Sequence, residues 1–236
     1  MKRIICTLII AFIVIGLLFV GCKKDNPVQK FMRELKDVPE YTIILDDMKE
    51  EGIFFSDYYH KYKIIQDTTA AERTTDWIKV NKRFYQQNHN FLGMALVSKT
   101  KDGVNRSPAP PGYQYIGDPR YGQWRTDSRG NSFWEFYGKY ALFRDLLFGA
   151  GSLMGRRNVY RSDYDDFRRY STNGRPYYGP GKEYGTTGSF TQKSKPSFFE
   201  RRKTLMNQRR SAFESKARSR VGRSRSSSSR SSGFGK

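Results

Sequence analysis

The stretch YTIILDDMKEEGIFFSDYYHKYKII, Tyr41–Ile65, decides the fold class. Tyr41 to Leu45, Gly52 to Phe55 and Tyr58 to Ile65 are short runs of β-branched and aromatic residues, the composition of strands. Asp46 to Gly52 and Tyr59-His60-Lys61 separate them, so the reading is a small antiparallel hairpin or meander.

Helical patterns follow. Thr74 and Thr75 precede Trp77, Ile78, Phe84, Tyr85, Phe91, Leu92 and Ala95, a spacing that suits an amphipathic helix entered from a Thr cap. Gly93 to Val97 fits either the last turn of that helix or another strand. Lys99 to Gly112, with Gly103, Asn105, Pro108, Pro110 and Pro111, is a loop. Gly117 to Trp124 is rich in turns but aromatic. Asn131-Ser132 with Glu135 matches a capping box. Phe133, Phe136, Tyr137, Tyr140, Phe143, Leu146 and Leu147 then recur at helical spacing, and Gly149 stands where a helix would stop. Two amphipathic helices and a small sheet make an α+β domain at 40–150, with a sub-boundary open at 100–112.

Beyond Gly155 the aliphatic content falls away. Val159 and Val221 are the remaining valines and Leu205 the remaining leucine. Residues 151–236 are therefore expected to be a largely disordered tail rich in Arg, Tyr, Gly and Ser, since such a composition buries too little apolar surface to offset chain entropy. Within it, Tyr160 to Tyr170 mixes aromatics with both charge signs. Two readings stay open, a platform for a polyanion or sugar and an amphipathic helix packing back on the domain.

Charge is unevenly placed. The net charge is +20, yet residues 25–100 carry 11 basic against 12 acidic side chains, and residues 161–236 carry 19 against 6. This describes a neutral domain with a basic end. Arg218, Arg220, Arg223, Arg225 and Arg230, set among serines, are the candidate polyanion contacts.

At the other end, Lys2-Arg3 precede the apolar run Ile4 to Val20, which closes on Phe19-Val20-Gly21-Cys22 and is followed by Lys23-Lys24-Asp25. A basic start, an apolar centre and a small-residue exit make a secretory signal. These residues resemble the type II signal of bacterial lipoprotein precursors, although Phe19 stands where that pattern has Leu, Val or Ile. The resemblance implies cleavage before Cys22, a diacylglyceryl group on its thiol and an acyl chain on the new amino terminus. It sets a signal peptide (1–21) and a tether (22–39), in which Phe31 and Leu35 allow a helical turn, before the domain and the tail. It also implies a cell-envelope, lipid-anchored membrane protein, on the outer membrane or cell surface if the cell is Gram-negative. Cys-Lys-Lys-Asp resembles mature lipoprotein starts in Bacteroidetes-like organisms. An uncleaved anchor and plain export are the alternatives.

Two cysteines are present, Cys6 and Cys22. Removal of the first and acylation of the second leave no free thiol, hence no disulfide and no Cys-ligated metal. His60 and His89 show no HxxxH or HExxH spacing. Asp46, Asp47, Glu50 and Glu51 lack the alternation of a calcium loop. No phosphate loop and no GxSxG elbow occur. The reading is a non-catalytic binding or structural module with no cofactor and no metal. Its expected partner is a protein or an anionic envelope surface, such as anionic lipid, lipopolysaccharide or teichoic acid. One rival is an envelope hydrolase or metal-dependent enzyme drawing on His60, His89, Asp46 and Asp47. The other is a nucleic-acid binder using the Arg/Ser tail, which export would keep apart from nucleic acid.

Overall fold

A computed structural model of the chain describes residues 26–66, 71–140, 144–145 and 158–227. The expected signal peptide, Cys22 and Arg230 lie outside them. Helix α1 (Pro27–Glu34) is entered from Asn26, whose side chain accepts a hydrogen bond from the Val28 N–H at 3.0 Å, with Pro at the first helical position. Both features favour a helix start. Strands β1 (Tyr41–Glu51) and β2 (Asp57–Gln66) follow, then β3 (Ala71–Thr74), β4 (Ile78–Val80), α2 (Lys82–Asn88), β5 (Ala95–Thr100) and β6 (Gly103–Asn105). A second group comprises β7 (Gly122–Thr126), β8 (Ser132–Phe136), β9 (Val159–Tyr160), α3 (Arg161–Thr172), α4 (Ser189–Ser194) and α5 (Pro196–Ser227). The fold class is α+β, with antiparallel strands in two sheets. The larger has the order β3-β2-β1-β5-β6, with β4 also pairing β2, and the smaller is β7-β8-β9.

β1 is central and covered on both faces, which is why Tyr41 to Leu45 reads as an unbroken apolar run. Ile43 and Leu45 join one core with Phe31, Tyr62, Leu92 and Phe198. Ile44 turns to a second core with Ile65, Tyr113, Tyr115, Trp134 and Phe167. The register slips between Leu45 and Asp47, leaving Asp46 as an extra residue. That bulge returns Met48 to the face of Leu45, and both are fully buried.

Four expectations are corrected here. The helical turn allowed at Phe31 and Leu35 is present as α1, but the stretch 26–39 is more than a tether, because Val28, Phe31 and Leu35 enter the first core. The helix expected to start at Thr75 starts at Asn81, whose Oδ1 accepts from the Phe84 N–H at 2.8 Å, and Ile78 belongs to β4. The capping-box helix is a β-hairpin over its first part, since β8 pairs with β7 and Trp124 faces Trp134. Residues 141–143 and 146–149 of that expected helix lie outside the described residues. Finally, 158–200 is not a disordered tail. Phe167, Tyr177, Tyr184, Phe190 and Phe198 are buried, and rings of this size supply the area that aliphatic residues do not.

Polar contacts tie the two sheets. Glu40, buried at the start of β1, accepts from Arg120 Nη2 at 2.7 Å and from the Tyr121 hydroxyl just before β7. Arg120 also grips Asp118, holding that carboxyl down at about 2. Arg120→Ala would leave the buried Glu40 carboxylate short of its cation. Because Arg120 is itself half-exposed, we expect a loss of about 1–2 kcal/mol in urea denaturation. No measurable loss would show that Tyr121 suffices.

Candidate functional site

The acidic run expected as a turn belongs to β1, and its partner is the basic C-terminal helix. Lys195, one residue before α5, places Nζ 2.5 Å from Asp46 Oδ1. Arg201 Nη2 reaches both Asp47 oxygens at 2.7 Å, and Arg209 Nη2 reaches Glu50 Oε1 at 2.7 Å. As α5 advances from 195 to 209 its partners advance from 46 to 50, so helix and strand run in the same direction. Phe198 is the apolar foot of this seam, buried beside Met48. Burial pushes the Glu50 carboxyl up, but hydrogen bonds from Arg209 and Ser56, with the charges of Arg209 and Arg202, leave it lowered on balance. This seam was not legible locally, because its two halves lie about 150 residues apart.

The seam ends at the β1–β2 turn. Arg209 donates to the Gly52 carbonyl at 2.8 Å and to Ser56 Oγ at 2.8 Å, bracing both ends of the loop. Between them Ile53, Phe54 and Phe55 project into solvent. Lys216 Nζ lies 5.2 Å from the centroid of the Phe54 ring, within cation–π range.

A cavity of about 210 Å³ opens between α2, β1, β2 and α5, lined by Met48, Glu50, Tyr58, Tyr85, His89 and Arg202. A wider cleft of about 540 Å³ separates β6 from α3. Two of the charged groups on its wall are engaged within the protein, Lys101 by Asp118 at 3.1 Å and Asp118 by Arg120.

The residues of the enzymatic rival do not assemble. His60, expected at the surface, is fully buried, with Nδ1 2.9 Å from the Tyr62 hydroxyl and Nε2 without a partner. His89 is separately placed on the rim of the small cavity, and Asp46 and Asp47 are engaged by Lys195 and Arg201. Among the described residues no group of three or more His, Cys, Asp or Glu side chains is placed to hold a metal. The Arg/Tyr segment 160–170 is resolved as α3, which packs back on the domain. Phe167 stacks against Tyr113 at 5.4 Å and Arg161 lies 4.8 Å over Trp124. Of the candidate polyanion contacts, Arg218 and Arg220 sit on the exposed part of α5, and Arg223 and Arg225 fall on its final turns, where side chains are not described.

Comparison with protein-family models, with curated proteins and with solved structures yields no match to this chain. Among the described residues no helix is long and apolar enough to cross a membrane.

Proposed function

We propose that this chain is a lipid-anchored protein of the bacterial envelope, held by Cys22, whose folded part is a non-catalytic module that docks on an anionic envelope surface. The observation that carries the reading is the division of labour along α5. Lys195, Arg201 and Arg209 are consumed by the carboxylates of β1. Arg202, Lys203, Arg218 and Arg220 stay exposed on the same helix. The internal pairing fixes the helix on the domain, and the remaining cations give that side a positive field. An acyl anchor supplies the residence time, and each cation close to an anionic surface adds about 1 kcal/mol.

Two readouts on protein taken from membranes test this. The N-terminal peptide is expected to begin at Cys22 with diacylglyceryl and acyl mass added. An unmodified Met1 or a free Cys22 would sink the anchor. On vesicles containing phosphatidylglycerol, tryptic cleavage after Arg218 and Arg220 is expected to slow by about three-fold or more against phosphatidylcholine vesicles. High salt should remove the protection, since it screens these contacts. Equal cleavage on both vesicles would sink the docking.

A further inference from the structure

The turn between β1 and β2 spends three consecutive residues on apolar side chains that the domain does not use. Ile53 is 43%, Phe54 67% and Phe55 92% exposed. Such a run at the surface is a defect in a folded protein unless something covers it. The turn is also held in shape. Gly52 has φ +100°, and a Cβ there would stand 1.9 Å from the Phe55 carbonyl oxygen, so the chain can double back only through glycine. Arg209 clamps Gly52 and Ser56 on either side. The aromatic rings are thus presented on a short, braced protrusion and do not fold back onto the core.

A cation stands against them. Lys216 lies beside Phe54, while Arg209, paired with Glu50, braces the base of the loop. Met206, Arg209, Phe213 and Lys216 fall at intervals of three and four along α5 and so share one helical stripe. In that stripe Met206 and Phe213 are exposed, the latter at 73%. An apolar plug with a lysine beside it is the chemistry of an interfacial membrane contact, with rings at the headgroup–acyl boundary and the ammonium at the phosphates.

We propose that the Ile53-Phe54-Phe55 turn is a bilayer-insertion element that immerses in an anionic phospholipid membrane, steered by Lys216 on α5. The proposal rests on the docking reading above and names its surface and its inserting residues. Shape and size separate a bilayer from a protein as occupant. The element is convex and three residues wide, far below the roughly 800 Å² per partner of a stable protein interface. A fluid headgroup layer accepts a protrusion without a complementary groove, and its phosphates complement the Lys216 ammonium.

The test places a photo-crosslinking aromatic at the turn of the full chain, Phe55→p-benzoylphenylalanine, a position exposed enough to tolerate the change. The same residue at Tyr170, an exposed ring on α3 across the larger sheet from α5, serves as control. Each protein is reconstituted in phosphatidylcholine vesicles with or without phosphatidylglycerol, irradiated and digested. The expected result is a phospholipid adduct on the tryptic peptide of residues 50–61, several-fold more abundant with phosphatidylglycerol, and little adduct at 170. Lys216→Gln should lower the yield at 55 several-fold. No adduct at 55, an equal yield at 170, or an equal yield on neutral vesicles would overturn the proposal. In cell membranes, a dominant adduct to a protein would overturn it as well. The N-terminal peptide of the same sample reports the anchor separately, and the cleavage assay reports charge-driven docking. An unlipidated Cys22 or unprotected Arg218 therefore fails the broader reading without being mistaken for failure of the turn.

Discussion

Replacing Phe198 by alanine is expected to destabilise the protein by about 3–5 kcal/mol in urea denaturation. The ring is 3% exposed and closes the first core beside Met48, Tyr85 and Leu92, with Phe199 edge-on at 5.0 Å. Removing it deletes the transfer free energy of a whole ring and leaves a cavity that the strand behind cannot fill. Against a total stability of about 5–15 kcal/mol for a domain, this is a large fraction. Phe213→Ala supplies the contrast on the same helix. Phe213 is mostly exposed, and its loss should fall within about 0.5 kcal/mol of zero. If Phe198→Ala costs less than 1 kcal/mol, the start of α5 is not part of the cooperative fold. The ionic seam would then be a loose association.

The same residue shows why aliphatic composition is a poor guide to the C-terminal third. A scarcity of Val and Leu suggests a scarcity of burial, yet Phe167, Tyr177, Tyr184, Phe190 and Phe198 are all buried. Aromatic residues bury more area each than the missing aliphatics, and Gly and Pro between them allow tight turns. At Gly185, with φ +80°, a Cβ would stand 2.7 Å from the Asn90 carbonyl. Aromatic count per segment would have been the better index.

The hairpin read as a helix has a different cause. Phe133, Phe136, Tyr137 and Tyr140 satisfy helical spacing, but Ser132 to Phe136 also alternates, with Trp134 inward and Glu135 outward. The deciding signal lay upstream. Asp127 accepts from the Arg129 and Asn131 amides, and Gly130 takes φ +84°, so Asn131 closes a turn where the pattern had it opening a helix. Glu135 likewise pairs with Arg125 across the hairpin. By contrast, β1 was legible because one local property, burial on both faces, sets its composition. Its extent was not. Asp46 to Glu51 looked like a turn because their cations come from α5, and no local window contains both partners. Net charge makes the basic end of the chain look like an outward-facing tail, whereas part of its charge is internal structure.

The buried imidazole of His60 gives the last large effect, a loss of stability on mild acidification. His60 lies in β2 opposite Met48, among the rings of Tyr62, Phe84 and Tyr85 at centroid distances of 5.3 to 5.8 Å. Burial alone pushes its pKa down to about 3, from the usual 6.5. Burial also raises the Tyr62 and Tyr85 hydroxyls, so these neighbours stay neutral in acid. Above pH 6.5 the imidazole is neutral both folded and unfolded and contributes no slope. Below it the unfolded chain takes up a proton that the folded chain refuses, and stability falls steadily as pH drops towards 3. From pH 6.5 to 4.5 the loss is about 2–3 kcal/mol. Asp118 and Glu50, with lowered pKa values, begin their own losses near pH 5, where the unfolded carboxylates start to take up protons, so the part of the window from pH 6.5 to about 5 isolates His60. In His60→Phe the slope between pH 6.5 and about 5 should vanish, leaving only the carboxylate losses below it. At neutral pH the variant should be weaker by about 1–3 kcal/mol, because the Tyr62 hydroxyl loses its partner. Equal slopes for the two proteins in urea titrations across this window would mean that water or an opened β2 edge hydrates the imidazole. The core between β2 and α2 would then be less tightly closed than its contacts imply.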